Sequence, residues 1–218
     1  MSFLRLLDGT RIGYQRWGKG GTNKLLALHG WLDNSNSFSY LGPLLADNDF
    51  DVVAYDHVGH GHSSHIPIGA TMTFPKYTVH AKNIIDILEW KKPSIMGHSM
   101  GAAVSTLLAG SFPELVEKLV LIEMIGPNSS DADKAPKLLR KGVEGELQFF
   151  KKKLNPKVYD FNGAVDARIA TVSSYPGKQT LSREASLALV RRFVTVSSFS
   201  IMNVTPPPPS PPLEARHE

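Results

Sequence analysis

PSIMGHSMGAAVSTLLAGSF, residues 93–112, is the stretch whose reading decides the fold. A short β-type run, Ser94-Ile95-Met96, leads into Gly97-His98-Ser99-Met100-Gly101, and a small-residue, helix-forming run from Ala102 to Ala109 follows at once. Gly-x-Ser-x-Gly between a strand and a helix is the layout of a nucleophile elbow. A serine lifted to the tip of so sharp a turn takes a strained backbone, and side chains two places to either side would collide with it. Ala102 and Ala103 let the following helix lie close to a sheet, with its unpaired N–H groups and positive end directed towards Ser99. Five residues are short enough to recur by chance, so the flanking strand and helix carry the weight.

Outward from that stretch, strands alternate with helices. Residues 2–7 and 11–17 read as strands joined at Asp8-Gly9, a strong hairpin signal. Leu25–Leu28 and Phe50–Tyr55 are continuous apolar runs suited to a sheet buried on both faces. Between them, N-cap residues at 34–37 predict a helix over 38–47 with Leu41, Leu44 and Leu45 on its apolar face. A second helix is predicted over 78–90, with Val79, Ile84, Ile87 and Leu88 to one side. Leu119–Ile122 supplies one more strand. The alternation predicts a mostly parallel α/β sheet.

From Gly126 the character changes to lysine-rich helical patterns without a convincing strand. We therefore expect a core over 1–126, a helical lid or cap over 127–193, and a Pro-rich disordered tail over 194–218, where PPPPSPP (206–212) reads as extended polyproline. The eight basic residues between Lys134 and Lys157 are expected to be a solvated face, with an anionic-substrate or membrane-surface patch as the alternative.

Composition excludes several classes. Forty-two per cent hydrophobic and 20% charged residues are ordinary for a globular chain, and a net charge of +4 lacks the concentrated stripe that nucleic-acid binding needs. With no cysteine, disulfides, thiol nucleophiles and cysteine zinc sites are removed together. No run approaches the ~18 apolar residues of a membrane span, and no secretory signal is expected before Asp8. His57, His60, His62 and His65 invite a metal reading, yet Asp56 is the lone carboxylate beside them and the spacing is that of a glycine-dictated turn; no metal is expected.

Three motifs now stand in order: His29-Gly30-Trp31-Leu32-Asp33-Asn34 after one strand, Asp56-His57-Val58-Gly59-His60-Gly61-His62-Ser63 after the next, and the elbow. Over roughly residues 1–193 this order resembles the α/β-hydrolase fold, and in detail the serine hydrolase-like proteins of that superfamily. The resemblance implies an eight-stranded architecture, of which about six strands are legible here. It implies Ser99 as nucleophile and the backbone N–H groups of Trp31 and Met100 as the oxyanion hole, with His29, Gly30, Gly97, His98 and Gly101 as supporting motif positions. His98 is expected to pack rather than to act as base, and the 56–63 turn to hold loops rather than do chemistry. No cofactor is implied. The setting implied is perinuclear or peroxisomal; cytoplasm is the default, since Arg216-His217-Glu218 is not a peroxisomal address.

The pattern also departs from that family. A serine nucleophile needs a base, which in this fold is a histidine after the last strand. The only histidine after Ser99 is His217, beyond the proline run. Glu123, ending the 119–122 strand, is a candidate acid or else a hinge or salt-bridge residue. The closing strands are not legible, so we expect a truncated form whose tail from about Val194 replaces a catalytic C-terminal third, leaving 119–122 an unprotected edge. Two readings stay open: a serine hydrolase acting on a small ester-like substrate through an acyl-Ser99 intermediate, and a non-catalytic pseudoenzyme or inert product that at most binds a ligand. Displacement at carbon, as in dehalogenases and epoxide hydrolases, would need a carboxylate where the elbow holds serine. Oligomeric state is not legible.

Overall fold

A computed structural model describes residues 2–67, 70, 72–127, 129–153, 159–175, 177 and 179–193. Its sheet has six strands: β1 (Ser2–Arg5), β2 (Arg11–Trp17), β3 (Asn23–Leu28), β4 (Phe50–Tyr55), β5 (Ser94–His98) and β6 (Leu119–Ile122), ordered β1-β2-β4-β3-β5-β6. β1, β2 and β4 pair antiparallel, whereas β4, β3, β5 and β6 run parallel. The mostly parallel sheet expected from the alternation of strands and helices is present. The chain crosses from β4, on one side of β3, to β5 on the other. Ligands in open α/β sheets bind outside the carboxyl ends of the strands at such a reversal.

β3 and β4 bury both faces, with side chains alternating between them. Leu26, Leu28, Val53 and Tyr55 meet Ile84, Ile85, Val104 and Leu108 on one side, while Ala27 and Ala54 meet Phe38 on the other. The first face is covered by α2 (Phe74–Ile87) and α3 (Met100–Ser111).

Several local expectations are corrected. The first hairpin turn is wider than Asp8-Gly9: β1 ends at Arg5, and Leu6 and Thr10 close the loop with a 2.8 Å backbone hydrogen bond. In place of one helix over 38–47 there is a 3₁₀ turn, Ser35–Phe38, capped by the Asn34 side chain, and then a six-residue helix, α1 (Leu41–Ala46). Leu41 and Leu44 are exposed; the residue that α1 turns inward is Gly42, where a Cβ would stand 2.4 Å from the Trp17 ring. The second helix begins at Phe74, because Thr73 caps it and Pro75 suits its first turn. Its buried face is Tyr77, His80, Ala81, Ile84 and Ile85, with Val79 and Ile87 outside.

Among the described residues β6 is the edge strand of the sheet, and Leu119, Val120 and Ile122 are each more than a third exposed. The described residues fall into two compact units, one holding those up to 129 with 191–193, the other those of 130–190. The second unit carries α4 (Ala135–Lys153), α5 (Phe161–Ser173) and most of α6 (Arg183–Phe193). Asp160 caps α5, and Ser186 Oγ on α6 donates to Val165 O on α5 at 2.9 Å. The tail expected over 194–218, with His217, lies outside the described residues.

Candidate active site

Ser99 stands between β5 and α3 with φ 50° and ψ −116°, a conformation costly for any residue with a Cβ. It is held from both directions: its N–H donates to Ile122 O on β6 at 3.0 Å, and its carbonyl accepts from Ala103 N at 3.1 Å. Gly97, on β5, pairs with Leu28 and Leu121 of the flanking strands. Gly101 brings α3 against β3 so closely that a Cβ there would lie 2.2 Å from Leu28 O. Ser99 itself is half-buried and reachable from solvent.

The loop after β3 lies directly against this elbow. A Cβ on Gly30 would stand 2.9 Å from His98 Nδ1 and 3.3 Å from Ser99 Cβ, so only glycine allows the approach. Within the loop, Leu32 N–H donates to His60 Nε2 at 3.3 Å and Asp33 N–H to Gly30 O at 3.2 Å. Among the described residues, neither the Trp31 N–H nor the Met100 N–H takes an acceptor within the protein. Met100 is the first residue of α3, where the helix leaves its N–H groups unpaired and its dipole favours negative charge.

Buried histidines shape the loop from beneath. His29 Nδ1 donates to Gly30 O at 2.7 Å and its Nε2 accepts from His57 N–H at 2.9 Å, which fixes one neutral tautomer. His60 likewise donates to Val58 O and accepts from Leu32 N–H. Burial pushes the His29 imidazole down to about 3 and that of His60 to about 4, and holds His57 well below the ordinary range. Both nitrogens of His29 and of His60 are therefore engaged by backbone groups. Among the described residues no cluster of three or more His, Asp or Glu is placed to hold a metal.

The turn after β4 is knitted by Asp56 and Ser63. The Asp56 carboxylate accepts from Ser35 N–H and His62 N–H, each at 2.8 Å, and from Arg192 Nε. Ser63 Oγ donates to Asp56 O at 2.6 Å and accepts from Gly13 N–H. None of these groups reaches Ser99; they hold the loops beneath it.

Glu123 follows β6 at φ 76°. Leu32, Ser99 and Glu123 thus bring three non-glycine residues of positive φ to the carboxyl ends of β3, β5 and β6 (φ 64° at Leu32), where strain collects at functional sites. Glu123 Oε2 lies 3.4 Å from His98 Nε2, while Asp33 Oδ2 lies 3.7 Å from His98 Nδ1. The His98 ring stands between two carboxylates, a contact that sequence spacing could not reveal. The structure brings Ser99, His98, Gly30 and Glu123 together. Among the described residues it brings no side chain into hydrogen bond with Ser99 Oγ. The groove of about 300 Å³ lined by Leu6, Leu7, Val79, His80 and Phe112 shares no residue with this site.

A family model described as alpha/beta hydrolase fold matches residues 23–185. The serine hydrolase-like protein of Danio rerio is 36% identical over 168 residues, which are 76% of this chain and 51% of that protein. A serine hydrolase-like protein of Dictyostelium discoideum is 40% identical over 131 residues, 60% of this chain and 36% of its own length. Among solved structures, a hypothetical protein from Pseudomonas aeruginosa PAO1 matches at TM-score 0.76 and 38% identity, over 88% of this chain and 65% of that one. The thioesterase domain from the curacin biosynthetic pathway matches at TM-score 0.70 and 25% identity, over 88% and 66%. The chain spans about half of one of these curated relatives and about a third of the other, and just under two thirds of these solved structures. Because the family match runs through both the elbow and the loop that abuts it, this chain belongs to the alpha/beta hydrolase fold family, with serine hydrolase-like proteins among its relatives.

Proposed function

We propose that this chain carries the acyl-transfer centre of a serine hydrolase acting on a small ester-like substrate, with Ser99 as nucleophile. The observation that carries the reading is the strained Ser99, at the mouth of α3, beside two backbone amides without a partner among the described residues. Ser99 Oγ attacks the acyl carbon and gives up its proton to a base. The tetrahedral oxyanion accepts from the N–H groups of Trp31 and Met100. Collapse breaks the bond to the leaving oxygen, which departs as the alcohol with that proton, and water then cleaves acyl-Ser99 to the acid. Two fixed donors matter because the negative charge appears only as the barrier is crossed; loss of one costs ~10²–10³ in rate. Glu123, half exposed at the rim, takes the acid's place in this reading.

A second reading, a non-catalytic member that at most binds a ligand, draws on the lack of a base at Ser99 Oγ among the described residues. A triad-less centre keeps only ~10³–10⁴ over water from its oxyanion hole and binding. Stopped-flow hydrolysis of p-nitrophenyl acetate separates the two. The hydrolase reading expects a burst of p-nitrophenol stoichiometric with protein and abolished in Ser99→Ala. Identical background rates in both proteins would favour the non-catalytic reading.

A further inference from the structure

We propose that His98 is a positioning residue whose imidazole braces the oxyanion loop against the end of β6 and so sets the distance between that loop and Ser99. This rests on the nucleophile reading for its consequence, though not for its geometry.

Three loops leave the carboxyl ends of β3, β5 and β6, which are neighbours in the sheet. At that edge the strand ladders stop, so the loop after β3 needs contacts of its own to keep its register with the elbow. His98 closes β5, the middle strand. From the β3 side, Asp33 faces Nδ1 at 3.7 Å with its carboxylate nine-tenths buried. From the β6 side, Glu123 faces Nε2 at 3.4 Å. Among the described residues, Asp33 and Glu123 are the carboxylates paired with the ring, and Gly30 lies close against its Nδ1 side. One side chain thus stands against a carboxylate of each flanking loop. An imidazole presents a ring nitrogen on each of two sides, so one side chain of that size meets both loops at once.

The loop it braces carries the Trp31 amide, and β6 in turn anchors Ser99 N–H through Ile122 O. A shift of about an ångström in one part of such a constellation can cost ~10²-fold in rate. The brace also gives the strained backbone of Glu123 a use, since φ 76° is held in a residue whose carboxylate ends on His98.

Hydrogen–deuterium exchange on the intact chain tests this without relying on activity. His98→Ala is expected to speed exchange ~10-fold at Leu32 and Asp33, and in the segment around Glu123, while the central strands keep their protection. Fluorophosphonate labelling of Ser99 should slow ~10–100-fold, and the midpoint of thermal unfolding should move by less than about 3 °C. His98→Gln, which keeps a donor, should recover part of both effects. Should His98→Ala fail to fold, Glu123→Gln at the exposed end is expected to loosen the same loop across the sheet edge. Unchanged exchange at Leu32 and Asp33 in both His98→Ala and Glu123→Gln, or equal acceleration throughout the sheet, would overturn the brace. A wild-type protein that never labels would instead refute the nucleophile reading, and the exchange data would still decide the role of His98.

Discussion

Arg192 Nε lies 2.9 and 3.0 Å from the two carboxylate oxygens of Asp56, a contact that spans 136 residues of sequence. Both side chains are buried. Burial alone would raise the Asp56 carboxyl, but the hydrogen bond and charge of Arg192, with Ser35 N–H, hold it below the usual carboxylate range. Arg192→Met leaves that carboxylate buried with its cation gone, and is expected to cost about 3–5 kcal/mol in urea unfolding. Adding Asp56→Asn to Arg192→Met should recover part of the loss, because the uncompensated charge goes with it. Losses that simply add would show that the two side chains are not coupled.

The backbone of Ser99 separates stability from function. Ser99→Ala keeps the Cβ and hence the strain, so its stability should match wild type within about 0.5 kcal/mol. Ser99→Gly relieves an energy of ~1–3 kcal/mol and forfeits part of it to chain entropy, so it should be the more stable of the two by about 1 kcal/mol. Paired thermal melts check this. A glycine variant less stable than the alanine one would mean that the elbow is not strained.

Two glycines at the site should fail differently. In Gly101→Ala the new methyl meets backbone at Leu28 O, which cannot give way, so the fold is expected to lose about 3 kcal/mol or more. In Gly30→Ala it meets the His98 ring, which can swing aside. That variant should fold with a loss of about 1 kcal/mol and still lose most Ser99 reactivity, as the loop is pushed off the elbow. Chemical denaturation with fluorophosphonate labelling on the same samples distinguishes them.

Acid should unfold the core by way of its histidines. His29 and His60 are held at about 3 and about 4, and His57 well below the ordinary range, so well above about pH 6.5 none of them is charged in either state. Between about pH 6.5 and 4 the unfolded chain binds protons that the folded chain refuses. Stability therefore falls with falling pH, by about 1.4 kcal/mol per pH unit for each such histidine. The depressed carboxyl of Asp56 works in the same direction below about pH 4. Urea midpoints from pH 7.5 to 5 should drop steeply, and His57→Phe should flatten the slope. A midpoint independent of pH over that range would show that the three rings are not buried as neutral groups.

What was legible in the sequence follows from how local each signal is. Phe50–Tyr55 and Leu119–Ile122 are apolar runs closed by polar or glycine punctuation, and they form strands with those limits. The elbow was legible because strand, turn and helix chemistry coincide within 20 residues. The faces of the helices were not. Which side of α2 turns inward is decided by the sheet beneath it, and the sheet takes His80 and Ala81 while leaving Val79 in solvent. α1 shows the same limit, since the Trp17 ring selects Gly42 over three leucines. Thr73 and Pro75 did mark the true start of α2 and could have been used. The partners of His98 and Asp56 come from strands and helices distant in the chain, so no spacing rule announces them.

The central claim is that Ser99 is a nucleophile poised by its backbone, and covalent labelling tests it most directly. Incubation with an alkyl fluorophosphonate, followed by intact-mass measurement and peptide mapping, should show one adduct per chain, located on Ser99 and lost in Ser99→Ala. A wild-type protein that stays unmodified under conditions that label a control serine esterase, or an adduct that persists in Ser99→Ala, would contradict the account.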